Sequence, residues 1–180
     1  MSERPQGSEE TEAEKLEWRS PDEAPITLSG FPWYATDGVF RRLPLDSAEP
    51  LSPSVHAHAG NTAGGQLRFQ TNSRRLSLDV KLSGPANMYH MPATGQCGFD
   101  LYTGPPGNQR YHSTARCGHA LEDYQVQLLA HGQSRMRNLT INFPLYKDVR
   151  KLAIGLDPAA EVRPPPPRAL EDPVVAYGTS

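Results

Sequence analysis

Three observations in the amino-acid sequence predict an all-β fold, an antiparallel sandwich of jelly-roll type. Apolar residues recur with period two through most of the chain; the apolar runs are short and separated by Gly- and Pro-rich turns; and no long segment of helical period interrupts them. Taken in order, QLRFQT places Leu67 and Phe69 on one face of a strand, and RRLSLDVKLSG places Leu76, Leu78, Val80 and Leu82 opposite Ser77, Asp79 and Lys81. CGFDLYTG sets Phe99 and Leu101 against Asp100 and Tyr102. DYQVQLLA gives Tyr124, Val126 and Leu128; RNLTINFPLY gives Leu139, Ile141, Phe143 and Leu145; RKLAIGLD gives Leu152, Ile154 and Leu156. NTAGG, SGPANM and TGPPGNQ supply turn chemistry between runs. ALEDYQVQLLAHG also fits a helix by length, but its apolar positions suit a strand equally.

The ends differ from this body. Residues 1–17 hold six Glu against Arg4 and Lys15, a local charge of −4 in a chain of −2, so the remainder carries about +2. Such a segment buries too little apolar surface to offset its ordering entropy, which predicts a disordered acidic tail over 1–19. The sandwich is expected over 20–162. Pro164 to Pro167 then favour polyproline II, a semi-rigid spacer expected over 163–172. PVVAYGTS, residues 173–180, begins a new element: an apolar run delivering a serine to a turn. A spacer implies a body at both ends, so the chain is expected to be the front part of a longer protein.

Composition excludes several classes. The near-neutral body has no basic stripe, so nucleic acid is not the expected partner. No apolar run is long enough to span a bilayer and the N-terminus has no signal-type apolar region, so the expected location is the cytoplasm, away from membranes. Two cysteines, Cys97 and Cys117, neither demand nor exclude a disulfide.

One block is more specific. MYHMPATGQCGFDLY, Met88 to Tyr102, resembles the signature of the N-terminal domain of a group of SGNH (GDSL-type) hydrolases, whose Gly-x-Asp-Leu-Tyr motif corresponds here to Gly98, Asp100, Leu101 and Tyr102. RRLP at Arg41, FPLYKDVRKLAIGL at Phe143 and PVVAYGTS at Pro173 are similar to the family pattern in the same order. The resemblance spans roughly residues 25–180. It implies a β-sandwich packed against an α/β catalytic domain in cis, acting on a small ester or acyl substrate without a cofactor. It implies Ser180 as the nucleophile, activated by a His held by an Asp three residues before it, with oxyanion donors from a later Gly and Asn. No Asp-x-x-His and no Gly-x-Asn-Asp occurs in this chain. An unassisted serine beside a terminal carboxylate is a poor nucleophile, so the 180 residues alone are expected to be inactive and the parent protein to carry the activity.

The remaining candidates divide between binding and structure. HMPATG is irregular, with Pro92 and Gly95, and reads as a loop at a sheet end. His90, Met91 and Thr94 there either line one wall of a substrate cleft or satisfy nearby backbone groups. Asp100 either pairs with an arginine such as Arg42 or Arg110, or accepts hydrogen bonds as a structural group, which is the favoured role. His56 and His58 would share a strand face, and with His112, His119 and Cys117 they invite a metal reading; their spacing lacks the tight pairs of zinc sites, so no metal is expected. Trp18, Phe31, Trp33 and Tyr34 form either a platform for sugar stacking or a cover over the sandwich edge. The rival to a docked accessory domain is a freestanding carbohydrate- or protein-binding module.

Overall fold

The computed structural model describes residues 15–168. They form two antiparallel sheets facing each other across one apolar core. The first has the order β1-β9-β4-β7 and the second β10-β3-β8-β5-β6, with β2 also paired to β3. In chain order the strands are β1 (Glu17–Arg19), β2 (Thr27–Ser29), β3 (Gln66–Thr71), β4 (Arg75–Leu82), β5 (Asp100–Thr103), β6 (Arg110–Thr114), β7 (Asp123–Ala130), β8 (Arg137–Asn142), β9 (Val149–Leu156) and β10 (Val162–Arg163). Three short helices lie in the connections: α1 (Tyr34–Asp37), α2 (Pro53–His58) and α3 (Ala93–Cys97).

The alternation read from sequence sets the two inner faces. Leu76, Leu78, Val80 and Leu82 of β4 are buried, with Leu152, Ile154 and Leu156 of β9 in the same sheet. Leu67 and Phe69 of β3, Leu139 and Ile141 of β8 and Phe99 and Leu101 before and in β5 meet them from the other side. Strand β7 breaks the period: Leu128 and Leu129 are both buried. The register steps from Leu76↔Leu129 to Ser77↔Gln127, so Leu128 is the extra residue of a β-bulge, and the bulge turns two successive leucines inward. One end of the core is filled by rings. Phe143 contacts Phe31, Phe40 and Phe99 at centroid distances of 5.0, 5.3 and 5.2 Å, and Tyr34 stacks on Phe40 at 4.7 Å.

Several local expectations change. The sheet reaches back to Glu17, inside the segment assigned to the tail, because β1 pairs with β9 and Gly155 leaves room for Trp18 and Leu16 to lie against it. His56 and His58 sit on helix α2, not on a strand; Ser52 caps it by accepting from the Val55 amide at 3.3 Å, and Pro53 occupies its first position. HMPATG is loop only as far as Pro92, after which α3 begins. The four N-terminal aromatics do not act together. Phe31 and Tyr34 join the core cluster, Trp18 lies on the opposite sheet, and Trp33 is exposed.

The proline run is held against the sandwich. Gln70, Arg68 and Gln66 alternate along β3 on its outer face. Gln70 Nε2 donates to the Pro164 carbonyl at 2.7 Å and Arg68 Nη2 to that of Pro166 at 2.8 Å. Arg168 Nη2 then donates to Gln66 Oε1 at 3.0 Å. The segment runs antiparallel to β3, two residues per step, as a strap over the outer face of the sheet.

Candidate functional site

The registers bring the motif block and the strap to one end of the sandwich. Gln66 of β3 faces Asn142 of β8, Asn142 faces Asp100 of β5, and Asp100 faces Thr114 of β6. Their side chains make a polar row across four strands. Gln66 Nε2 donates to Asn142 Oδ1 at 3.0 Å, Thr114 Oγ1 donates to Asp100 Oδ1 at 2.5 Å, and the Tyr111 and Thr114 hydroxyls lie 3.0 Å apart. The strap reaches this row at Gln66. Asp100 therefore takes a hydroxyl. Arg42 donates instead to the His58 carbonyl at 2.7 Å, and Arg110 lies at the far end of the β5–β6 pair, opposite Thr103. Tyr102 stands beside Asp100 on the outer face, its ring edge-on to Tyr111 at 5.8 Å.

The loop that precedes α3 lies at the same end of the sandwich. Its organiser is Gln96, which is 1% exposed. Gln96 Oε1 accepts from the Asn87 and Met88 amides, both at 3.0 Å, and Nε2 donates to the carbonyls of Met88 at 3.2 Å and Met91 at 2.6 Å. Every hydrogen-bonding position of the amide is used, as burial requires. The Gln96 carbonyl also accepts from the Tyr146 amide at 3.3 Å, and Lys147 Nζ donates to Asn87 Oδ1 at 2.9 Å. The loop is pinned at its base while Tyr89 at its tip is fully exposed, with His90 edge-on to it at 5.2 Å. Met91 is half-buried and packs beside Gly95. Thr94 is also half-buried, and its carbonyl accepts from the Gly98 amide at 3.0 Å, ending the helix.

Gly98 explains its own place in the motif. A Cβ there would stand 2.4 Å from the Thr94 carbonyl oxygen and 2.9 Å from that of Ala115. The backbone of α3 and the chain after β6 close on this residue from both sides. Cys97 next to it is buried; burial pushes its thiol up to about 11, with the neighbouring Cys117 adding to the shift. Both cysteines are free thiols, and Cys117 Sγ donates weakly to the Ala93 carbonyl at 3.7 Å. The Tyr124 hydroxyl donates to the Cys97 carbonyl at 2.8 Å and is raised far above the ordinary phenol range by its burial.

The same end exposes apolar groups. Tyr89, Leu121, Leu145 and Tyr146 are among the exposed large apolar side chains, and all belong to its connections. The connections are tied to one another, so the surface is preformed. The buried Thr62 hydroxyl lies within donor distance of the Pro144 carbonyl at 3.0 Å and the Lys147 carbonyl at 3.1 Å.

The structure thus brings Met91, Thr94, Gly98, Asp100, Leu101 and Tyr102 to one end, with Leu101 in the core beneath them and His90 on the exposed loop. Ser180 lies outside the described residues. Gln96, Thr114, Asn142 and Gln66 are the members that sequence reasoning passes over. A glutamine inside the motif block, two residues before Gly98, was the one available signal. No group of three or more His, Cys, Asp or Glu residues able to hold a metal occurs among the described residues. No described helix is long and apolar enough to cross a membrane.

Comparison with known proteins gives this arrangement a family. Residues 16–162 match the model of the GxDLY family, the N-terminus of SGNH-hydrolase-type esterases. No curated protein sequence matches. Among solved structures, one described as a GDSL-like lipase from Bacteroides ovatus superposes with a TM-score of 0.74 at 20% identity, over 84% of this chain and 44% of that one. The salicylyl-acyltransferase SsfX3 from a tetracycline biosynthetic pathway does so with a TM-score of 0.52 at 14% identity, over 83% of this chain and 41% of that one. At these identities the likeness is one of fold, and the chain spans less than half the length of either protein. The match over 16–162 establishes that this chain belongs to the GxDLY family, the N-terminal region of SGNH-hydrolase-type esterases.

Proposed function

We propose that the chain is the accessory domain of an SGNH-type esterase or acyltransferase, bracing the catalytic domain and forming one wall of its acyl-ester cleft. The observation that carries this reading is the course of the strap. It rides back along β3 from Gln70 to Gln66 and so brings Arg168 to the end that bears Tyr89, His90, Met91 and the Asp100 row. Exposed apolar groups on a preformed surface are what a docked neighbour covers. In this reading Ser180 is the nucleophile of the parent protein, and its base and oxyanion donors come from the catalytic domain. His90, Met91 and Thr94 approach substrate without performing the chemistry.

The test compares the 180-residue chain with the parent protein. Amide exchange at Tyr89–Met91 and Leu145–Tyr146 is expected to slow at least tenfold in the parent. Equal exchange in both removes the docking surface. The isolated chain is expected to hydrolyse a p-nitrophenyl ester no faster than its Ser180→Ala variant, and turnover abolished by that substitution overturns the assignment of catalysis to a second domain.

A second reading has its own observation. Tyr102 and Tyr111 form an edge-to-face pair on the outer face of the sheet, flanked by Asp100 and Asn142, which is the kind of surface that binds a sugar ring. Saturable binding of an oligosaccharide to the isolated chain, lost in Tyr111→Ala, favours a freestanding binding module.

A further inference from the structure

The other end of the sandwich holds a second feature, independent of the docking surface. There the β5–β6 turn and the connection from β7 to β8 enclose an open cavity of about 390 Å³. Arg110, Arg135, Arg137, His112 and His131 line it, and none of its lining residues is acidic. Among the described residues no carboxylate pairs with any of these three arginines. His112 shows the resulting field: its pKa is lowered by burial, and further by His131 and Arg137.

Arg137 is built into the wall. It is 8% exposed, and its Nη1 and Nη2 donate to the carbonyls of Ser73 at 3.4 Å, Arg135 at 3.0 Å and Gln133 at 2.8 Å. Its Nε is buried without a partner, and so is Oδ1 of the adjacent Asn138. A buried guanidinium among like charges is an unfavourable arrangement that an anion in the cavity would relieve through its charge, the Nη donors of Arg137 itself being held by the wall. The mouth is shaped by Gly104, which has φ of 114°, where a Cβ would meet the Asn108 carbonyl at 2.4 Å. The Gly104 amide donates to the Asn138 carbonyl at 3.0 Å and so fixes the turn over the cavity.

We infer that this cavity is an anion-binding site, taking the phosphate, sulfate or carboxylate group of a small ligand between the exposed Arg110 and Arg135, with the buried Arg137 adding its charge from the wall. Guanidinium forks suit oxyanions because they offer paired donors in one plane. The volume fits a ligand of about monosaccharide-phosphate size, within the usual range for small-molecule sites.

The 180-residue chain is titrated with inorganic phosphate, sulfate and acetate at constant ionic strength, following the backbone amides of His112, His131 and Asn138 by NMR. Saturable shifts confined to this end are expected. Arg110→Gln and Arg135→Gln, both at exposed residues, are each expected to weaken binding at least fivefold, whereas Arg150→Gln on β9 leaves it unchanged. Saturation by phosphate and sulfate alone assigns a tetrahedral oxyanion, and saturation by acetate alone a carboxylate. Shifts that stay linear with concentration, or that survive both substitutions, overturn the assignment.

Discussion

Gln96 Nε2 lies 2.6 Å from the Met91 carbonyl, and through that contact a buried side chain holds an exposed loop. The amide binds the loop at Asn87, Met88 and Met91, so the position of Tyr89 and His90 is set from inside the domain. Loop shape and domain stability are therefore linked through one residue.

Replacing Gln96 with Ala leaves two amides and two carbonyls without their partner. The expected cost is about 2–4 kcal/mol, since several buried groups lose bonds at once. Urea denaturation measures it, and amide exchange at Met88 is expected to accelerate alongside. Gln96→Glu keeps the two acceptor contacts but sets a buried carboxylate oxygen against the Met88 and Met91 carbonyls, so at pH 7 it is expected to cost at least as much as Gln96→Ala. An unchanged urea midpoint in Gln96→Ala would remove the proposed anchoring.

Gly98→Ala places a methyl group against two carbonyl oxygens that belong to backbone, which gives way less readily than a side chain. A loss of about 2 kcal/mol or more is expected, or failure to fold, because overpacking forces the main chain to move. Thermal unfolding of the variant checks this, and a melting temperature within two or so degrees of the parent contradicts it.

At the opposite end Asp157 ties the β3–β4 turn to the end of β9. It accepts from Arg75 Nε at 2.5 Å and from the amides of Arg74 at 2.7 Å and Arg75 at 3.1 Å. Burial pushes its pKa up, but the Arg75 side chain and the two amides outweigh this and hold it below the ordinary carboxylate range. A depressed folded-state pKa gives stability that is present above the unfolded-state value and is lost as pH falls through the folded-state value. Asp157→Asn is expected to cost about 1–3 kcal/mol at pH 7, as charge-assisted bonds do. The gap between the two proteins should close on acidification toward pH 3 and below. A gap independent of pH would place the effect elsewhere.

Thiol chemistry follows from Cys97. With its pKa pushed to about 11, little of it is thiolate near neutrality, and the thiolate is the reactive form. Iodoacetamide at pH 8 is expected to modify Cys97 at least about tenfold more slowly in the folded chain than in urea. Equal rates would show that the helix bearing it opens freely.

Much of the sandwich was legible because period-two patterning reports burial on one face directly. Leu76 to Leu82 and Leu152 to Leu156 face the core as their spacing requires. Helix α2 was not legible from the two histidines. What fixes it is Ser52 and Pro53 at its start, a local signal that the spacing of His56 and His58 does not carry. The Gly-x-Asp-Leu-Tyr block was legible as a local sequence motif. Its partners came from residues distant in sequence: Gln66, Asn142 and Thr114 meet Asp100 only through strand register. The basic cavity was hidden for the same reason, because Arg110 and Arg137 sit on different strands of a chain without a basic stripe.

The strap has a counting rule. Carbonyls of Pro164 and Pro166 meet side chains two residues apart on β3, so the repeat is a pair of residues. Deleting one proline puts the following carbonyls out of phase with Gln70 and Arg68, whereas deleting two restores the phase one step along. Whatever follows Arg168 is then displaced by a rung of the ladder, so the parity of this run sets the point at which the chain leaves β3.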